Sequence, residues 1–226
     1  MPVRILSNRS VELMATHPHF DAAFRAEFRQ LVLWRRDVRR FRTDPISRER
    51  IDALLEVASH APSVGLSQPW RFVRVESPER RRAVVESFTQ ANEEALSGYS
   101  GEKHAIYANL KLAGLKEAPV HLAVFSDDGT HTGSGLGQQT MPETLHYSVV
   151  AAIQTLWLAA RADGIGMGWV SILDPQKVTR ALDVPAGWNL VAYLCLGLPA
   201  EEHLDPELER HHWEVRSDIS DVVFTR

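Results

Sequence analysis

A single helix, expected over residues 142–163, leaves few folds open to this chain. Val149, Ile153, Leu156 and Ala160 recur at helical spacing, and Gly164 stands where a C-terminal stop belongs. The segment is apolar nearly all round, which predicts a place at the centre of the fold or at a subunit interface. Two short apolar runs, residues 119–125 and 190–196, read as strands with both faces buried. A chain of 226 residues fits one domain, with core enough to cover such elements. Helices outnumber strands and do not alternate with them as βαβ units, so the pattern predicts a layered α+β fold.

The remaining punctuation agrees. Residues 1–19 lack periodicity and are expected to form an N-terminal arm, leaving 20–226 as the domain. Phe20, Phe24, Phe28 and Leu31 then mark a helix expected to end near Asp37. Ser47 is a predicted N-cap, with Ile46 and Ile51 as a hydrophobic staple and Leu54, Leu55 and Ala58 on one stripe. A Gly-, Pro- and Ser-containing loop over 63–70 leads into a strand at 71–75, and Ser77-Pro78-Glu79 opens a helix through about Leu96. Residues 127–139 read as a mobile loop. A strand over 167–172 and a helix capped by Asp174-Pro175 and ending near Leu182 complete the order.

Several function classes are disfavoured. With 25 Lys and Arg against 29 Asp and Glu, the formal charge is −4, no footprint for nucleic acid. The N-terminus has no apolar signal region and no stretch has spanning length, so a cytoplasmic protein without a membrane segment is expected. Cys195, the single cysteine, lies inside an apolar run and reads as a small core residue. The cluster Gly164, Gly166, Gly168 follows a helix and precedes a strand, the reverse of a dinucleotide fingerprint. Gly133, Gly135 and Gly137 lack the Lys-Ser/Thr of a P-loop. No HExxH occurs, His211-His212 are adjacent and no G-x-S-x-G elbow exists, so neither metal nor a hydrolase triad is expected.

The basic segment Arg35-Arg36-Asp37-Val38-Arg39-Arg40 has two readings. Cations gather at helix C-termini through the macrodipole. Planar guanidinium groups also grip phosphate and the polar edges of a flat ligand.

That segment, followed by Phe41, then Ala61-Pro62-Ser63-Val64-Gly65 with Gln68-Pro69-Trp70, resembles the FMN-binding opening of the nitroreductase superfamily. Asp37 stands where ordinary members carry serine. With residues 154–161 and Gly166-Met167-Gly168-Trp169-Val170-Ser171-Ile172, these motifs resemble the branch that makes 5,6-dimethylbenzimidazole, the lower ligand of vitamin B12. Leu145-His146, Thr155 and the N-terminal arm depart from the pattern.

The resemblance implies a nitroreductase-like FMN-binding fold, a mixed or antiparallel sheet flanked by helices, in a domain-swapped homodimer with flavin at the subunit interface. It implies that Arg35, Arg36, Val38 and Arg39 hold phosphate, ribityl and ring edges, with Ser63 lining the pocket and backbone N–H groups of Trp169, Val170 and Ser171 facing the ring. Arg216 is a further phosphate-side candidate. Reduced FMN would be substrate as well as cofactor, fragmented with O2 to dimethylbenzimidazole and erythrose 4-phosphate; NAD(P)H would enter indirectly, through a separate flavin reductase. Asp37, its proton affinity lowered by the arginines, is expected to move protons near the ribityl chain, and Ser171 to orient the flavin edge. A conventional NAD(P)H-dependent nitroreductase or flavin reductase, and a non-enzymatic flavin-binding module, remain alternative readings.

Overall fold

The computed structural model describes residues 18–226. The arm expected over residues 1–19 therefore lies almost wholly outside the described residues. The described residues fall into two units that meet in sequence between Leu33 and Trp34. The first consists mainly of α1 (Ala22–Trp34), which forms on the predicted pattern, ends on the first residue of the second unit and contains no buried residue. It stops at Trp34, short of the expected end near Asp37, because Asp37 bridges Met167 and Val38 N–H donates to the Met167 carbonyl at 3.0 Å. The arginine segment is thus extended backbone and not a helix C-terminus.

The second unit is built on a four-stranded sheet of order β1-β2-β4-β3, comprising β1 (Trp70–Arg74), β2 (Val120–Asp127), β3 (Gly166–Val170) and β4 (Trp188–Gly197). All three pairings are antiparallel. The central strands alternate between two buried faces, which is why they read as unbroken apolar runs. Leu122, Val124, Leu194 and Leu196 pack with α2 (Arg48–Ser59) and α5 (Thr144–Ala162), whereas Ala123, Phe125, Tyr193 and Cys195 pack with α3 (Pro78–Ser97) and α6 (Pro175–Leu182). The result is helix, sheet and helix in three layers, with α5 in the middle of the first cluster, as its composition demands. Each fully buried leucine or phenylalanine adds about 1.5–3 kcal/mol relative to exposure.

Helix starts follow the predicted chemistry. Ser47 and Ser77 accept the N–H of Arg50 and Arg80, and Asp174 accepts those of Gln176 and Lys177. The charged stretch after residue 97 carries no apolar stripe to read, yet it contains α4 (Gly101–Asn109), fixed chiefly by Tyr107. Cys195 is fully buried and burial pushes its thiol up, as a core residue requires. The chain ends in α7 (Glu207–Arg210) and an exposed tail.

Candidate active site

Residues 37–42 run along the edge of the sheet. At the start Asp37 and Val38 lie on β3; at the end Phe41 bridges Pro199, Arg42 N–H reaches the Leu198 carbonyl at 2.8 Å, and Ala200 N–H reaches Arg40 at 3.0 Å. Gly168 permits the approach, since a Cβ there would fall 2.1 Å from the Val38 carbonyl oxygen. Three strand-edge anchors thus fix the backbone from which the arginines project.

A cleft of about 190 Å3 opens beside this segment, with Arg35, Arg36, Asp37, Trp157, Glu207 and Arg216 in its walls. Arg35, Arg36 and Arg216 form a cation cluster: burial lowers the proton affinity of Arg35 and Arg36, and repulsion lowers both further, from Arg216 at Arg35 and from Arg35 and Arg216 at Arg36. Arg36 donates to the Arg35 carbonyl at 2.7 Å and to the Leu204 carbonyl, while its buried Nε has no partner among the described residues. Like charges gathered around an unmet donor suit a multivalent anion such as a phosphate.

Asp37 sits at the floor. Its Oδ1 accepts the Trp169 N–H at 2.8 Å and its Oδ2 accepts Arg39 Nε at 3.0 Å. Arg39 is held in turn by the Lys111 carbonyl at 3.2 Å and lies 3.9 Å from Glu207. Glu207 bonds Arg40 at 2.7 Å and thereby raises that guanidinium's proton affinity. About 32% of the Asp37 side chain faces the open cleft, but the carboxyl lies deep, and burial pushes its pKa up against Arg39, the Trp169 N–H and Arg35. The sequence expectation had the opposite sign. Neighbouring arginines were legible in sequence, but the depth at which they hold the carboxyl was not.

The structure brings Arg35, Arg36, Asp37, Val38, Arg39 and Arg216 to one cleft, although Arg216 is distant in sequence. It does not bring Ser63 or Ser171 there. The Ser63 hydroxyl accepts the Gln68 N–H at 3.1 Å in its own turn, and Ser171 is exposed just past the end of β3. The Trp169 N–H, expected to face a flavin ring, is taken by Asp37, and the Val170 side chain is buried in the core cluster on the far side of the sheet. Trp157 and Glu207 were missed. Trp157 falls within a family-like segment but reads as core, and nothing in the sequence ties Glu207 to Arg39 and Arg40.

A family model described as the nitroreductase family matches residues 32–198. The chain is 59% identical over 203 residues to a 5,6-dimethylbenzimidazole synthase of Rhodospirillum rubrum, covering 90% of this chain and 96% of the relative. It is 46% identical over 196 residues to a protein of the same name from Rhodobacter capsulatus, covering 87% and 95%. Among solved structures, oxidized iodotyrosine deiodinase bound to FMN and 3-iodo-L-tyrosine superimposes with a TM-score of 0.69 at 24% identity, covering 88% of this chain and 97% of that one.

Proposed function

The chain belongs to the nitroreductase family, and we propose that it converts reduced FMN and O2 to 5,6-dimethylbenzimidazole and erythrose 4-phosphate, with the pyrimidine-ring carbons of the flavin leaving as a separate fragment. The observation that carries this reading is Asp37, a carboxylate held by Arg39 and the Trp169 N–H in an arginine-walled cleft. The two synthases named above support it, and the FMN-bound neighbour supports flavin as the ligand class.

The residues present fit FMN. A phosphate would bring Arg35, Arg36 and Arg216 the negative charge that relieves their mutual repulsion. Arg39, bound through Nε and Nη1, keeps Nη2 for a ribityl or ring-edge acceptor. FMN supplies the carbon skeleton that is broken and the electrons for O2, and the chain's own groups bind it and move protons. Burial raises the proton affinity of this carboxyl above that of a free carboxylate, which strengthens it as a base able to take a proton from the ribityl side and return it later. NAD(P)H would act upstream, at a separate flavin reductase.

The site would be completed by a second copy. A cleft of about 190 Å3 is below the roughly 300–1,000 Å3 usual for ligand pockets. Ser63 and Ser171 would then contribute at the interface, Ser171 orienting the flavin edge. Apolar side chains that bury little in their own chain, such as Leu66, Leu136 and Tyr147 at 70%, 73% and 59% exposure, are surface for a partner to cover. The bare faces of α1 and of the C-terminal tail suit an exchange of terminal segments. Among the described residues no helix is long and apolar enough to cross a membrane, and we place the protein in the cytoplasm.

Incubation with reduced FMN in air, with product mass measured, tests the activity. Dimethylbenzimidazole supports it; quantitative return of oxidised FMN with rapid NADH turnover would instead favour a conventional nitroreductase.

A further inference from the structure

Arg35, Arg36 and Arg216 line the cleft, and burial opposes the charges of Arg35 and Arg36, so something must hold these two in place before an anion arrives. Trp157 on α5 touches both. The Arg35 guanidinium lies 4.8 Å from the centre of its ring, and its indole N–H donates to the Arg36 carbonyl at 3.2 Å. The first contact places positive charge over an electron-rich face, a favourable arrangement that needs no anion. The second fixes the peptide that joins Arg36 to Asp37. The same ring lies 6.4 Å from that of Trp169, the residue whose N–H holds Asp37. Trp157 is 9% exposed and belongs to the cluster around α5, so its position is set by the core and not by a ligand.

We propose that Trp157 is a positioning residue that presets the Arg35–Arg36 grip on phosphate, so that discrimination of FMN from riboflavin depends on a side chain inside the core. The inference rests on the reading of Arg35 and Arg36 as the phosphate site. An aliphatic side chain here would fill space yet leave Arg35 without its platform and the Arg36 peptide without its anchor. Phenylalanine keeps part of the platform and loses the anchor.

The test is titration of the full chain with FMN and with riboflavin, for wild type, Trp157→Phe, Arg35→Gln and the double variant, with thermal unfolding as a check on folding. Trp157→Phe is expected to weaken FMN binding about 3- to 10-fold, the range of one lost hydrogen bond, because the ring that remains keeps part of the cation–π platform. Riboflavin binding should stay within about twofold, because the lost contacts bear on Arg35 and Arg36 while the bonds of Asp37 to the Trp169 N–H and Arg39 remain. The double variant should lose less FMN affinity than the product of the single losses. If Trp157→Phe does not fold, Trp157→Tyr, which also keeps a ring face, serves in the same comparison. Equal weakening of both ligands, or unchanged discrimination, overturns the inference alone, provided that wild type discriminates. Equal binding of FMN and riboflavin by wild type overturns the phosphate-site reading and the inference with it.

Discussion

Replacing Asp37 with asparagine is expected to separate flavin binding from flavin breakage. Asparagine can keep the Trp169 N–H bond, made at 2.8 Å in the native chain, through its own carbonyl oxygen. Its amide then turns a donor toward Arg39 Nε, and the ion pair at 3.0 Å is lost. Arg39 is not stranded, because the Lys111 carbonyl at 3.2 Å and Glu207 at 3.9 Å still hold its other end. A charge-assisted bond of this kind is worth about 1.5–3 kcal/mol, less where the carboxyl is partly open to solvent, and neutralising a deep carboxylate recovers a desolvation cost of similar size. The two nearly cancel. Unfolding free energy should therefore change by less than about 1.5 kcal/mol, and FMN should still bind.

Chemistry is affected far more. Removal of a general base typically costs about 100- to 10,000-fold, or roughly 3–5 kcal/mol of barrier. The assay is reduced FMN in air, with dimethylbenzimidazole and returned FMN counted by mass: the variant should oxidise FMN but return it intact. In wild type the product fraction should fall as pH drops through a midpoint above the ordinary carboxylate range, because burial raises the Asp37 pKa and the base must be ionised. The stability sign runs the other way. A carboxyl with a raised folded pKa favours folding fully below its unfolded value of about 3.9, and that contribution is lost as pH rises through the folded pKa. The variant lacks both dependences. Product formation at the wild-type rate would refute the catalytic assignment, and loss of flavin binding would reduce Asp37 to an anchor for Arg39.

Other expected outcomes are simpler. Ser171→Gly should uncouple product from oxidation more mildly than Asp37→Asn, since it removes one oriented hydrogen bond; an unchanged product yield removes Ser171 from the site. Arg216→Gln should weaken FMN about tenfold and riboflavin little, the range of one charge-assisted phosphate contact; parallel losses for both ligands would show that Arg216 does not read the phosphate. Leu194→Ala, at the centre of β4, should cost about 2–5 kcal/mol in urea unfolding, and a loss below 1 kcal/mol would contradict its place in the core. His121, hydrogen-bonded to the Tyr193 hydroxyl at 2.9 Å, has its pKa pushed by burial from 6.5 to about 4. Stability should be full above pH 6.5 and fall as pH drops toward 4, by up to about 3 kcal/mol from that shift, and His121→Gln should flatten the slope.

The sequence by itself determined the elements whose physics is local. Helix starts at Ser47, Ser77 and Asp174 depend on a side-chain oxygen a few bonds from the N–H groups it caps, and all three were readable. The apolar composition of α5 demanded a central place, and the twin apolar runs demanded buried strands, because burial of that surface is the main driving term. The family was legible for a related reason: the arginine segment and the residues around Trp169 are contiguous, so the motif survives in one dimension. Tertiary structure alone decided what the site is. Only strand pairing with β3 ended α1 at Trp34 and laid the arginines along an edge. Only the return of the C-terminal segment brought Glu207 and Arg216 to residues more than 160 positions earlier. Only depth reversed the expected direction of the Asp37 pKa, because desolvation depends on everything packed around a carboxyl, whereas a sequence displays only its neighbours along the chain.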